Sequence, residues 1–309
     1  MHADTPPPDA PPFVHRTRFL AVVATLVLGL PTVLLSAMVI YLIAALAGDW
    51  WAAATVVLWF CVGGYLFDAA WFTPQRGAIA AAFGCRPPTE PESARLTAAW
   101  ANVTRAPGVD GWPYALRVQN NPGMMAFAMP TRIVAVASGA IATLESRQLE
   151  AILAHELGHH VNVDPRVRLL DMWVDLPGRA LWAVCRLFGQ SARWRGPVAL
   201  VVRCVLAVVL LPVAVVLLMP VLGPAAAIAL GVLLAVEPFA RAARRQRDEL
   251  AADRTAVELG YGPDLAGAMR EWAARKPPAG RLVALRERLL GTHPPLAVRI
   301  RAIEAGITG

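Results

Sequence analysis

The sequence predicts a mainly α-helical membrane protein: four transmembrane helices in two hairpins, with a cytoplasmic α+β domain that carries a small β-sheet. Three observations point there. The chain is 57% hydrophobic and only 17% charged, whereas soluble domains run nearer a quarter charged. Two long stretches, at 19–72 and 196–240, are almost free of charge. Between them lies a helix-spaced His-Glu-x-x-His, preceded by short runs rich in Val, Ile and aromatics. With 309 residues there is also room for a domain with its own core.

The net charge is +7, and Lys276 is the only lysine. An arginine-rich balance in such a chain reflects loops facing anionic lipid. No basic stripe interleaved with aromatics is present, so nucleic acid is discounted as a partner. Cys61, Cys85, Cys185 and Cys204 are widely separated. They read as packing residues, not as a disulfide framework or a metal site.

In chain order, residues 1–17 hold a proline-rich leader, with Pro6, Pro7, Pro8, Pro11 and Pro12, and are expected to be disordered. Residues 18–72 form the first hairpin. Its uncharged run from 19 to 47 is ample for the roughly 20 residues that span a bilayer. Gly48-Asp49-Trp50 makes the turn. Arg16, Arg18 and Arg76 flank the outer ends, so the positive-inside rule puts the tip outside and both termini in the cytoplasm.

Residues 73–195 begin the globular part. A helix is expected at 92–105, strands at 114–119 and 132–137, and the motif helix at 148–163. Residues 166–194 are amphipathic and suit either the membrane interface or an ordinary surface helix. The run 196–240 would be roughly 67 Å as one helix, about twice the hydrocarbon core. It therefore reads as a second hairpin turning at Val221-Leu222-Gly223, between Pro220 and Pro224, with Arg203 near its start. Residues 241–309 complete the globular part with two or three more helices.

The chemistry centres on His155-Glu156-Leu157-Gly158-His159. On a helix, positions four apart share a face, so His155 and His159 can reach one metal ion and Glu156 can act on a water that the metal polarises. His160 is turned about 100° away and is left out of the ligand set. A catalytic zinc takes three protein ligands. Glu249 in Glu249-Leu250-Ala251-Ala252-Asp253 is the candidate third, with Asp253 on the same face to accept the other N–H of a ligating histidine. Ninety residues separate His159 from Glu249. They can meet only if the chain crosses the membrane an even number of times between them, which two spans in 196–240 provide.

The order of these motifs resembles the HtpX-like membrane zinc metalloproteases, relatives of the CaaX prenyl proteases. The resemblance runs over residues 120–301: Met125-Ala126-Phe127-Ala128-Met129-Pro130, then Arg132-Ile133-Val134-Ala135-Val136 and Ser138-Gly139, the His-Glu helix, the Glu249 segment, and Thr292-His293-Pro294-Pro295 with Arg299. The family's asparagine falls at Met125, with Asn120 and Asn121 as the nearest substitutes. Its Gly-Gly is replaced by the shorter Thr131.

The resemblance implies a zincin-like catalytic domain with one Zn2+ per chain, ligated by His155, His159 and Glu249. Glu156 is then the general base, His293 a catalytic residue near the developing oxyanion, and Asp253 and Arg299 supports behind the ligands. The activity implied is hydrolysis of peptide bonds in membrane or misfolded proteins at the cytoplasmic face. An extended substrate is expected to add to the sheet along strand 132–137. Three alternatives are a BlaR-type signalling protease, a prenyl-protein protease and a non-catalytic zinc-binding scaffold. The short Gly48–Trp50 turn leaves no room for a sensor domain. Prenyl proteases generally carry more spans, and a structural zinc site needs no general base.

Overall fold

A computed structural model describes residues 12–69, 76–105, 114–129, 132–162, 222–275 and 280–308, with residues 172, 173, 175, 176, 216, 219 and 220. The start of the leader, most of 166–194 and the first span expected in 196–240 lie outside the described residues.

Two long helices open the chain, α1 (Pro12–Ala45) and α2 (Asp49–Ala69), and pack against each other as a hairpin. Trp173 docks on α2: its indole N–H donates to the Trp59 carbonyl at 3.1 Å, and the two rings stack with centroids 6.0 Å apart. After α3 (Arg76–Ala82) comes a four-stranded mixed sheet. Its strands are β1 (Cys85–Arg86), β2 (Ala115–Gln119), β3 (Ala126–Met129) and β4 (Ile133–Ala137), in the order β1-β2-β4-β3. β2 and β4 run parallel, and the two outer pairs are antiparallel.

β4 is buried at every residue, as its unbroken Val/Ala/Ile run requires of a strand covered on both faces. This corrects one expectation. The strand at 132–137 cannot receive a substrate at its edge, because β2 and β3 already occupy both sides of it. The outer strand beside β4 is β3, which the residue pattern alone leaves inconspicuous. Arg132, at φ 59°, is in the left-handed region immediately before β4 begins at Ile133.

Helix α4 (Glu90–Thr104) starts two residues earlier than expected. Thr89 caps it: its backbone N–H and hydroxyl both donate to the Glu92 carboxylate, at 2.7 and 2.8 Å. The Arg95 guanidinium donates to the carbonyls of Ile141 and Leu144, fixing α4 to the end of α5 (Ser138–Thr143).

Helix α6 (Ser146–Asn162) is the central rod. All residues from Leu149 to His159 are buried. Leu149, Leu153 and Leu157 join Val134, Leu96 and Met269 in the main core. Over it lies α7 (Pro224–Glu258), followed by α8 (Gly262–Arg275), α9 (Arg281–Leu290) and α10 (Leu296–Thr308). α7 begins directly after Gly223, at φ 78°, a conformation that costs glycine little; Val221 of the expected turn lies outside the described residues.

Among the described residues, α7 is the one helix long and apolar enough to cross a membrane. The apolar stretches of α1 and α2, Val27–Met38 and Trp50–Tyr65, are shorter. Where the sequence reading expects four spans, the described residues thus show one clear one. α1 is tied to α7 through Glu237, whose carboxylate accepts from Thr32 Oγ1 and from Arg241 Nε, both at 2.7 Å. Arg241 also pairs with Asp175 at 3.0 Å.

The cap on α4 carries a pH signature. The hydrogen bond from Arg86, with those from Thr89, holds the Glu92 carboxyl down at about 2. Its folded value lies below the unfolded one, so its contribution is complete above the ordinary Glu value of about 4.3 and fades as pH falls toward 2. The stability gap between the native chain and Glu92→Gln should therefore be constant near neutrality and close between about pH 4 and 2, as read by denaturant unfolding.

Candidate metal centre

The site is built where α6 crosses α7. Gly158 lies within α6, on the side that meets α7. A Cβ there would stand 2.8 Å from the Ala252 Cα, 2.9 Å from its carbonyl oxygen and 3.1 Å from the Thr255 Cβ. Only a residue without a side chain lets the two backbones come this near. The helix faces on either side of that contact then meet: His155 and His159 on α6, Glu249 and Asp253 on α7.

The distances follow. His159 Nε2 is 3.1 Å from Glu249 Oε1, and His155 Nε2 is 3.6 Å from Glu249 Oε2. Donor atoms of these three residues all lie within 4.8 Å of one another, and all three residues are buried. Tetrahedral coordination with bonds of about 2.1 Å sets ligand atoms roughly 3.4 Å apart. Two imidazole nitrogens and one carboxylate at this spacing therefore fit a small divalent cation. The formal charge fits as well. Buried around the donors are three carboxylates (Glu156, Glu249, Asp253) and one guanidinium, Arg299. With neutral histidines they sum to −2, which a dication would neutralise.

Behind the donors is a hydrogen-bonded support. Asp253 Oδ1 stands 2.9 Å from His155 Nδ1. Arg299 grips the same carboxylate with two bonds, Nε to Oδ2 at 2.8 Å and an Nη to Oδ1 at 2.6 Å. Burial pushes the Asp253 carboxyl up, but the bonds from Arg299 and His155 outweigh it and hold it below its usual range. An ionised Asp253 can only accept, so the His155 proton sits on Nδ1, and the Nε2 lone pair faces Glu249. Arg299 also reaches Glu249 at 3.2 Å. Burial opposes charge on Glu249 too, and the bonds from His159 and His293 overcome it, keeping the group well below the carboxylate range.

His293 stands on the outer side, exposed to solvent, with Nδ1 2.8 Å from Glu249 Oε2. Glu156 is buried and lines a cavity of about 990 Å³. The wall of that cavity includes β3 through Ala126 and Phe127, Met125 just before it, α8 through Met269 and Trp272, and the three donors. All seven residues singled out from the sequence are thus gathered at one place. His160 is turned to the sheet, its Nε2 3.2 Å from the Ile133 carbonyl.

Two features escape sequence reading. One is the role of Gly158, whose only signal is a glycine inside a helix, a mark of close backbone approach. The other is the α8 wall: Met269 and Trp272 carry no motif. The asparagine question resolves as well. Asn120 accepts from Arg86 at 2.8 Å, and Asn121 accepts from the Gly123 N–H at 2.8 Å. Neither lines the cavity, whereas Met125 does.

Replacing Gly158 with alanine forces the helices apart, and overpacking of this kind costs about 1–3 kcal/mol. Gly158→Ala should unfold at lower denaturant concentration than the native chain. Gly267→Ala, where a Cβ would meet nothing within 4 Å, should be neutral or slightly stabilising.

Comparison with known proteins bears on the same residues. The family model for peptidase family M48 matches residues 90–307, most of the chain and every residue of the site. Similar curated proteins are named protease HtpX homolog. The one from Pyrobaculum calidifontis is 30% identical over 148 residues, covering 46% of this chain and 40% of the relative. The one from Pyrobaculum islandicum is 33% identical over 149 residues, covering 45% and 40%. The one from Limosilactobacillus fermentum is 26% identical over 226 residues, covering 63% and 64%. The chain therefore spans about two fifths of the length of the Pyrobaculum relatives. The match of the family model across the whole site places this chain in peptidase family M48.

Proposed function

We propose that this chain is an integral-membrane zinc endopeptidase. The observation that carries the reading is the convergence of His155, His159 and Glu249 with Glu156 on the wall of one cavity. Two imidazoles and one carboxylate are one of the donor sets of catalytic zinc, leaving a position open for water or substrate. A zinc ion held there would supply Lewis acidity toward a scissile carbonyl and lower the pKa of a water molecule. The protein's own groups do the rest. Glu156 takes a proton from the attacking water as its oxygen bonds to the carbonyl carbon. The carbon–nitrogen bond then breaks, and Glu156 returns the proton to the leaving amine. Asp253 and Arg299 fix the orientation of His155, and His293 offers a ring N–H from the open side.

β3 supports a mode of substrate binding. It is one of the two outer strands of the sheet, with no further strand beside it among the described residues, and it borders the cavity. The Ala137 N–H donates to the Met125 carbonyl at 2.9 Å. In an antiparallel pair this turns the backbone of Ala126 to the outer edge. An extended polypeptide pairing there lies across the donors and is held mainly by main-chain bonds, which suits varied sequences. Membrane or misfolded proteins are the substrates this implies. The apolar half of α7, the α1–α2 hairpin and the arginines at 241, 244, 245 and 247 support a four-span topology with the site at the cytoplasmic face.

Purified in detergent, the native chain should hold zinc stoichiometrically and cleave casein. Glu156→Gln should keep its zinc and lose activity by about 10²–10⁴-fold; equal activity in the two forms would sink the mechanism. Glu249→Ala should lose zinc, while Glu258→Ala, farther along α7, should not. For the binding mode, Ala126→Pro removes one outward N–H donor. It should slow casein cleavage with zinc content unchanged, and normal cleavage would count against pairing at β3.

A further inference from the structure

Helix α9 has no buried residue, although it lies directly beside the site. Leu282, Leu285 and Leu289 are 59%, 52% and 46% exposed. At about 100° per residue these three fall within an arc of roughly 60°. Arg281 and Arg288 flank the arc on one side and Arg286 on the other. Glu287 lines the cavity, and it sits roughly 170° from the centre of the leucine arc. One side of α9 therefore belongs to the site, and the opposite side presents three leucines between arginines. A patch of this kind is rarely left to water.

The position of α9 along α7 indicates what covers it. The Gln246 side chain donates to the carbonyls of Arg288 and Gly291, at 3.0 and 3.1 Å. Gln246 is six residues beyond Ala240, about 9 Å along the helix axis. The polar headgroup layer is about 5–8 Å thick on each side of the hydrocarbon. Moreover, Gln246 is on the same face of α7 as Ile228, Val232, Val236 and Phe239, which are 51%, 58%, 56% and 45% exposed. That apolar stripe ends at Phe239, about 10 Å along the axis before Gln246, where α9 is attached. The cavity lies farther along α7, toward Glu249 and Asp253. The leucine face, opposite the cavity, therefore looks back toward the apolar end of the helix.

We propose that α9 lies in the interface of an anionic lipid surface, its leucines in the acyl boundary and Arg281, Arg286 and Arg288 among the headgroups. Such a pattern, a short apolar arc bordered by arginines, is that of an interfacial helix, and each arginine near an anionic surface adds to binding. The consequence is a site whose mouth stands at the membrane surface, with one wall made by a lipid-bound helix. The inference rests on the reading of α7 as a membrane span.

The test uses the full chain in nanodiscs, of phosphatidylcholine alone or with phosphatidylglycerol. Cys61, Cys85, Cys185 and Cys204 are changed to serine, and spin labels are placed singly by Leu285→Cys, Leu233→Cys and Arg254→Cys. Collision with oxygen marks lipid, and collision with a water-soluble nickel chelate marks water. The label at 285 should fall between those at 233 and 254, with an oxygen-to-nickel ratio several-fold above that at 254, and the ratio should rise with phosphatidylglycerol. Hydrogen exchange of the native chain gives a variant-free check: residues 281–290 should exchange several-fold more slowly on the anionic discs. A label at 285 open to nickel in both lipids overturns the proposal. So does one shielded from both reagents, which would mean a protein cover such as a second copy. Equal behaviour in the two lipids overturns the choice of an anionic surface. Nickel access at 233 would instead refute the membrane span itself.

Discussion

The close approach of α6 and α7 at Gly158 and Ala252 is the contact on which this protein's site depends. The two helices come from halves of the chain separated by a long apolar segment. Nothing local brings Glu249 toward His155 and His159. What does so is the absence of a side chain at one point, with a Cα and a carbonyl oxygen of the facing helix occupying the space a Cβ would need. Backbones that near leave no slack between the faces on either side, and the donor atoms fall at 3.1 and 3.6 Å.

That geometry concentrates charge in a buried place, which is costly unless the charges are paired. The chain meets the cost in two layers. Arg299 neutralises Asp253 through two bonds and touches Glu249. Asp253 in turn orients His155. What remains uncompensated is the −2 formal charge that suits a dication. The support and the donors are therefore one electrostatic unit, and α10, which supplies Arg299, belongs to the site as much as α6 does.

The sheet serves the site differently. Its central strand β4 is wholly buried and makes the floor under α6, while β3 is left as the outer strand along the cavity. The same chain segment thus supplies a buried base and an outer strand. On the far side of the cavity, α8 adds the apolar residues Met269 and Trp272, and α9 turns Glu287 inward.

The sequence by itself determined the chemistry and most of the elements. His155, Glu156 and His159 are legible because helical periodicity puts two imidazoles on one face. Glu249 and Asp253 are legible because they repeat that spacing after an apolar run. The helices and two strands follow from period and punctuation, with ends shifted by one or two residues through the Thr89 cap and the left-handed Arg132. Tertiary structure decided what depends on contacts between distant segments. Strand order is one such matter: 132–137 has the composition of any good strand, and only pairing reveals it as central and β3 as outer. The partnering of Arg299 with both Asp253 and Glu249 is another. The last is Gly158, a residue whose part in the site is the room it leaves, and room is a property of two helices together that no single helix records.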